Sequence, residues 1–488
     1  MQDANLAPGE IGHFDRKVVQ KRHPCRKRQW HGSRHHDQQD FWIATEDLPR
    51  SEGHIFYRKL NELLREADFD PFVESLCKEH YHDSMGRPGI PPGTYFRMLL
   101  VGYFEGIGSQ RGIAWRCGDS LSLRDFLAIP LNEETPDHSS LTRVRDRLPL
   151  AVHTAVFQFV LQVADKKGLL KGKTVAVDAT TLEASAAMKS IVRRDTDEDW
   201  QEYIKRLMLE AGAIEEGDEP SAEEIARFDR KREDKKVSNQ QWQSKTDPDS
   251  RITKMKDSRT HLAYKAEHTI DLDTELILAA EVYHANEADS DTIGPSISAA
   301  QDNLIAAESD ANIEEAVADK GYYKNETLSE LEFTEGLRTY IAEPKFKDRR
   351  NWKNKPEEQR QAVTNNRRRT KGKRGRALQR KRSERVERSF AHVCGTGGSR
   401  RTWLWGIEKV HKRYLMSAMS RNLGLVMRSL FGFGTARSLQ AEGGLADNLH
   451  FAWFDMQSVL KCLIAKINRA DQKPVAERTA SLALALAA

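Results

Sequence analysis

KTVAVDATTLEA, residues 173–184, marks the point where the chain changes period. Val175 and Val177 alternate, the run reaches Asp178, and small and hydroxyl residues follow. This predicts a short buried strand with an acid at its carboxyl end. Upstream, from about Phe56 to Ala164, the period is helical. Leu60, Leu63 and Leu64 recur at helical spacing within Tyr57–Ala67, and GRPGIPPGT (Gly86–Thr94) forms a rigid connector. A helix carrying MLLVGYF begins near Thr94. In TPDHSSLTRVRDRL, Ser139 or Ser140 is expected to cap a helix whose Arg143, Arg145 and Arg147 stay solvent-directed. Such a unit either reads DNA or is an ordinary surface helix with salt bridges.

Downstream, residues 186–258 interrupt the strands with a charged, helical insertion. Strands resume in HLAYKAEHTIDLDTELILAAEVYHA, two alternating runs joined around Asp271–Thr274, which predicts a hairpin. Asp289–Ala307 is helical, and IEEAVADKGYY is a second buried strand ending in an acid, Asp319, with Gly321 supplying the turn. A helix (Thr327–Phe333), a strand (Leu337–Ala342) and a helix from about Ala377 to Val393 follow. The fold class is therefore α/β: a mixed sheet flanked by helices, preceded by an all-helical region. The expected divisions are a basic, flexible arm at 1–50, helices at 51–165, the sheet domain at 166–430 and a tail at 431–488.

Acids at the carboxyl ends of strands stand where open sheets place ligands. The third candidate lies in ALQRKRSERVERSFAHV, where Leu378, Val386, Phe390 and Val393 form the apolar stripe. Glu387 borders that stripe, with small Ser383 and Ala391 four residues either side, whereas Glu384 has Arg380 and Arg388 there and suits a surface ion pair. Asp178, Asp319 and Glu387 thus form the candidate catalytic and metal-ligating set. Three carboxylates without His or Cys select Mg²⁺, or Mn²⁺ in its place, rather than zinc. Two such ions ~4 Å apart serve in-line displacement at a phosphodiester.

Charge is segregated along the chain. Residues 345–388 carry 19 Lys/Arg against 5 Asp/Glu, and residues 195–234 carry 15 acidic against 6 basic residues. The basic run suits a polyanion, the acidic run a solvated face. Lys373, Arg374, Arg376, Arg380 and Arg388, with Arg143 and Arg145, are the candidate DNA contacts. Phe346 and Trp352 either stack on a base or anchor packing. The cluster Arg16–Arg28 either meets phosphates or belongs to a mobile arm, and His35–His36 lacks a spaced ligand set. Five scattered cysteines with no CxxC pair argue against a disulfide scaffold and a zinc ribbon. No apolar run nears 18 residues and the amino terminus lacks a signal-peptide core, so a cytoplasmic, nucleoid-associated protein without a membrane span is expected.

VAVDATTLEA, then VADKGYY, then RSERVERSFAHV together resemble the DDE transposases of bacterial insertion sequences, in the IS-five-like branch with a helical amino-terminal domain. The Y-K-A strand within Leu262–Ile270 and the P-D-H-S segment Pro136–Ser140 are similar to elements of that family. The resemblance implies an RNase H-like catalytic domain and a helical DNA-binding or dimerisation domain. It implies hydrolytic nicking at element ends, 3′-hydroxyl strand transfer into target DNA, and a homodimer joining two ends. It places the family's acids on Asp178, Asp319 and Glu387. The sequence departs from the family at Arg380, Ser383 and Cys394, where relatives often carry tyrosine, arginine and a basic residue. Alternatives are a nuclease of the same fold that cuts without joining, and a DNA-binding protein without catalysis.

Overall fold

The computed structural model describes residues 54–82, 89–233, 237–255, 258–345 and 352–441. The 1–50 arm, Phe346 and the tail beyond 441 lie outside the described residues. Seven helices come first: α1 (Ile55–Glu66), α2 (Phe69–Cys77), α3 (Pro92–Glu105), α4 (Gln110–Asp119), α5 (Leu121–Phe126), α6 (His138–Arg147) and α7 (Leu150–Lys166). Phe56, Tyr57, Leu60, Leu63 and Leu64 form the buried side of α1, as their spacing requires. Pro92 starts α3, where its missing N–H costs no helical bond, and nearly every later residue of that helix is buried.

The cap of α6 differs from expectation. Asp137, not Ser139 or Ser140, accepts the Ser140 N–H at 2.6 Å, and these bonds hold its carboxyl down to about 2. Arg145 is also not solvent-directed. It shares a buried stripe with Leu141, Val144 and Leu148, because the residue four after a buried leucine returns to the same side.

The sheet strands are β1 (Thr174–Glu183), β4 (Arg251–Lys254), β5 (Thr260–Asp271), β6 (Ile277–His284), β7 (Glu315–Ala318) and β8 (Arg338–Ile341). Their order is β4/β6–β5–β1–β7–β8, with β4 and β6 on successive parts of the same edge of β5. β5 runs antiparallel to β1, whereas β7 and β8 run parallel to it. Asp271 ties the hairpin turn to the entry of β1, accepting the N–H groups of Lys171 and Gly172, each at 3.0 Å.

The insertion, expected as a helical interruption of the strands, also carries three strands of its own. β2 (Ile191–Arg193) pairs with β3 (Trp242–Ser244), and between them α8 (Trp200–Glu210) and α9 (Ala222–Lys231) enclose Ile204, Met208 and Ile225. Both helices begin with a capping box, which is why so acidic a stretch is helical. Its last segment returns to the main sheet as β4.

The remaining helices are α10 (Asp289–Ala306), α11 (Asn325–Ser329), α12 (Glu357–Lys371), α13 (Lys373–Phe390), α14 (Ile407–Phe431) and α15 (Ala436–Ala441). α10 packs on one side of the sheet, and α13 and α14 on the other. One continuous core runs from Phe56 through the sheet to Ala436. Both sheet edges are closed by asparagines. Asn422 of α14 bonds the N–H and C=O of Ile277, and Asn366 of α12 does the same for Ile341.

Two core histidines are uncharged. Burial lowers His153 to about 4, and the cations Lys412 and Arg145 reinforce the shift over the opposing Pro149 bond. Burial lowers His268 still more clearly, in a slot between Ser389, Tyr414 and the Phe390 ring. The unfolded chain protonates both near pH 6.5. Their contribution is therefore fully present above that pH and is lost on acidification, by about 1.4 kcal/mol per histidine per pH unit. Melting temperature should fall steadily from pH 7 to 5. A flat profile, or one unaltered in His268→Gln, would contradict neutral burial.

Candidate active site

Alternation along β1 sends Thr174, Ala176 and Asp178 to the side covered by α13, since Thr174 bonds Glu315, which α13 reaches through Arg374. The parallel register with β7 pairs Thr174 with Glu315 and Ala176 with Val317. β1 does not end at Asp178 as expected but runs on to Glu183 against β5, and the β7 register continued two residues brings Asp178 level with Asp319. The two carboxylates feel each other: the charge of Asp319 adds to the burial that raises the pKa of Asp178.

Asp178 accepts the Ala179 N–H at 2.9 Å and an Arg382 Nη1–H at 2.6 Å. The Arg382 side chain is 12% exposed, and its charge opposes the upward shift of Asp178 without cancelling it. Asp319 caps the turn after β7, accepting the Gly321 N–H at 2.7 Å. Gly321 is needed for close approach rather than for a left-handed turn. A Cβ there would meet Asp289 Oδ2 at 2.9 Å and Asp319 Oδ1 at 3.0 Å.

α13 crosses the sheet above these acids. Gln379 donates to the carbonyls of Ala318 and Tyr340, fixing the helix over the carboxyl ends of β7 and β8. Arg385 and Arg388 hold the opposite flank to the hairpin turn, through Leu272 O and Glu275. Glu384 pairs with Arg388 at 2.5 Å, the surface role its spacing indicated. Glu387 is exposed and lies about 160° around the helix from Arg385, on the flank of Ser383 away from the hairpin turn. Its carboxylate forms no ion pair among the described residues. No group of three or more His, Cys, Asp or Glu among them is close enough to hold a metal ion, so the three acids share a side of the sheet without closing into a cage.

Behind the acids, on the α10 side, lies a polar cluster. Glu267 is fully buried and accepts Thr292 and Tyr322 hydroxyls at 2.9 and 2.8 Å, which pins the turn that follows Asp319. Lys265 donates to Thr292 at 2.8 Å and to Asp289 at 3.2 Å. Burial raises the pKa of Glu267. Sequence reading assigned no role to Arg382, Lys265 or Glu267. The available signals were an arginine four residues before buried Val386 and two charges at alternate positions of a buried strand.

The candidate DNA contacts divide. Lys373, Arg376 and Arg380 are exposed. Arg374 pairs with Glu315 at 2.5 Å, Arg388 with Glu275 and Glu384, and Arg143 donates to Ser139 at 2.6 Å. Arg145 is buried rather than on the solvent face of α6. Trp352 packs, partly buried, against the core. The basic run is thus partly neutralised by acids distant in sequence, including Glu343 on Arg367 and Glu332 on Arg369.

A mixed sheet with Asp178 inside β1, level with Asp319 just past the end of the parallel strand β7, beneath a basic helix, defines the class of α/β protein. Residues 171–423 match the family model described as Transposase DDE domain, and residues 44–147 match the one described as Transposase domain (DUF772). The chain belongs to the DDE transposase family, whose members are DNA-processing nucleotidyl-transfer enzymes that generally use divalent metals. No curated protein and no solved structure matches it.

Proposed function

We propose that this chain is an insertion-sequence transposase of the IS-five-like branch that nicks DNA at element ends and joins the freed 3′-hydroxyl to target DNA. The observation that carries this reading is the pairing of Asp178 with Asp319 on the side of the sheet crossed by the helix of Glu387. The strand order, with β5 and β6 antiparallel on one side of β1 and β7 and β8 parallel on the other, supports an RNase H-like domain.

The donor set fits a hard divalent cation, Mg²⁺ or Mn²⁺. It is all oxygen, and Asp178 is desolvated beside a second carboxylate, a charge pattern that a cation relieves. Asp178 and Asp319 would share one ion and Glu387 would complete a second site, provided its exposed side chain swings inward. Bound metal supplies an activated water or 3′-hydroxyl and charge stabilisation at the leaving oxygen. The chain's own residues prepare that chemistry. Arg382 orients Asp178, Gly321 lets Asp319 approach, and Glu267 fixes the turn through Tyr322. Two element ends call for a homodimer, acting in the cytoplasm on nucleoid DNA.

The test incubates the protein with the DNA ends flanking its own coding sequence, a target plasmid and Mg²⁺. Joined products are expected. Cut but unjoined ends would replace this reading with a nuclease, and binding without cutting would replace it with a DNA-binding protein. Salt dependence adds a further prediction. Alanine at Lys373, Arg376 or Arg380 should each lower the slope of log affinity against log salt by about 0.9. Arg369→Ala, whose guanidinium is held by Glu332 at 2.6 Å, should leave that slope unchanged. Equal slopes for all four variants would remove this flank of α13 from the DNA path.

A further inference from the structure

Where α3, α4, α6 and α14 meet the 397–404 segment there is a cavity of about 240 Å³. Three cations line it: Arg145, Lys412 and Arg413. The side chains of Lys412 and Arg145 are only 5% and 10% exposed. Lys412 is neutralised by Glu408 at 2.7 Å. Arg145 has Asp146 at 3.5 Å, but its buried Nε makes no hydrogen bond among the described residues. Arg413 donates to Gly398 O at 3.2 Å and has no carboxylate partner among the described residues. Burial, and then the adjacent Arg145, push Arg413 down to about 10. Arg413 is partly buried, and a guanidinium so placed without a carboxylate partner favours an anion.

The other walls are suited to a ring. Tyr103 and Met416 are apolar, and Trp403 at the rim is 58% exposed with the Arg401 guanidinium 5.1 Å from its ring centre. Gln110 uses its carbonyl to accept from Thr142, which leaves its amide N–H groups as donors. The volume lies below the roughly 300–1,000 Å³ of pockets for drug-sized ligands, and so suits one ring system and one phosphate rather than a duplex. Aromatic faces and a guanidinium are the pair of features that hold a base and its phosphate.

We propose that this cavity binds a single nucleotide unit, its base against Trp403 and Tyr103 and its phosphate between Arg145 and Arg413. The nucleotide is either the terminal unit of a DNA strand or a free mononucleotide. The first source rests on the transposase reading, and the second does not. Thr402, beside Trp403, donates its N–H to Glu183 O at 2.9 Å. Glu183 lies five residues beyond Asp178 on β1, about 17 Å along the strand, or about five nucleotide steps.

Ligand-observed NMR on the full chain in EDTA, where Asp178 chemistry is silent, compares deoxyadenosine monophosphate, deoxyadenosine and inorganic phosphate. The mononucleotide is expected to bind at least tenfold tighter than either fragment. Arg413→Met should weaken it at least tenfold. Trp403→Ala, at an exposed rim position that keeps the fold, should weaken the nucleotide without altering the response to phosphate. Phosphate binding as tightly as the nucleotide, no nucleotide binding, or wild-type affinity in Trp403→Ala would each overturn the proposal. Competition then identifies the source. A single-stranded oligonucleotide that displaces the mononucleotide, when its abasic-ended counterpart does not, establishes the strand terminus. Failure of both establishes the free nucleotide, and leaves the transposase reading to the joining assay.

Discussion

Asp178→Asn is expected to lower Mg²⁺-dependent strand transfer by about 10³-fold, with Asp319→Asn and Glu387→Gln falling alongside it. Charge stabilisation at a metal-assisted phosphodiester transition state is worth several kcal/mol, and about 4 kcal/mol corresponds to 10³ in rate. The fold should survive, because Asn keeps a carbonyl oxygen for one of the two donors, the Ala179 N–H or Arg382, that Asp178 accepts through separate oxygens. It also removes a carboxylate whose burial is unfavourable, as the raised pKa of Asp178 indicates. The informative control is Glu384→Gln. That carboxylate only pairs with Arg388 at an exposed position, so strand transfer should stay near wild type. Wild-type activity in Asp178→Asn would remove it from the site, and a loss in Glu384→Gln equal to that in Glu387→Gln would reassign the third acid.

The second large effect concerns stability. Asn422→Ala should destabilise the protein by about 4 kcal/mol, since it strands two buried backbone groups at roughly 1–3 kcal/mol each. The Asn422 side chain is fully buried, donating to Ile277 O at 2.7 Å and accepting its N–H at 2.9 Å. Asn366→Ala at the other sheet edge should act similarly, for the same reason. Asn365→Ala, which gives up one partly buried bond to Glu332, should cost about 1 kcal/mol. Chemical denaturation of the three variants measures this. Equal midpoints for Asn422→Ala and Asn365→Ala would show that the sheet edge is not held this way.

Local pattern made much of this architecture legible. The alternation around Val175 and Val177, the hairpin turn at Asp271 and the acid after β7 follow from a period of two and its interruption, whereas pairing with β5 carries β1 past Asp178 to Glu183. On α13, the i±4 neighbours of Glu384 and Glu387 separated a surface ion pair from a free carboxylate. The same logic misread Arg145, because one helix's pattern gives a residue's angular position and not what packs there. Asp137 displaced the serines as cap because the helix begins at His138, so that the Asp137 carboxylate faces the free Ser140 N–H while both serines lie inside the first turn.

By itself, then, the sequence determined the strands β1, β5, β6, β7 and β8, their order and the acids they carry, since these depend on neighbours within four residues, but not β2, β3, β4, α12 or α14. Only the tertiary structure decided which charges meet. Arg382 reaches Asp178 across 204 residues of chain, and Arg374 reaches Glu315 across 59. Such pairs exist because the order β5–β1–β7–β8 sets α13 above the carboxyl ends of two particular strands. A buried charge takes the counter-charge that this arrangement supplies, and local periodicity carries no record of it.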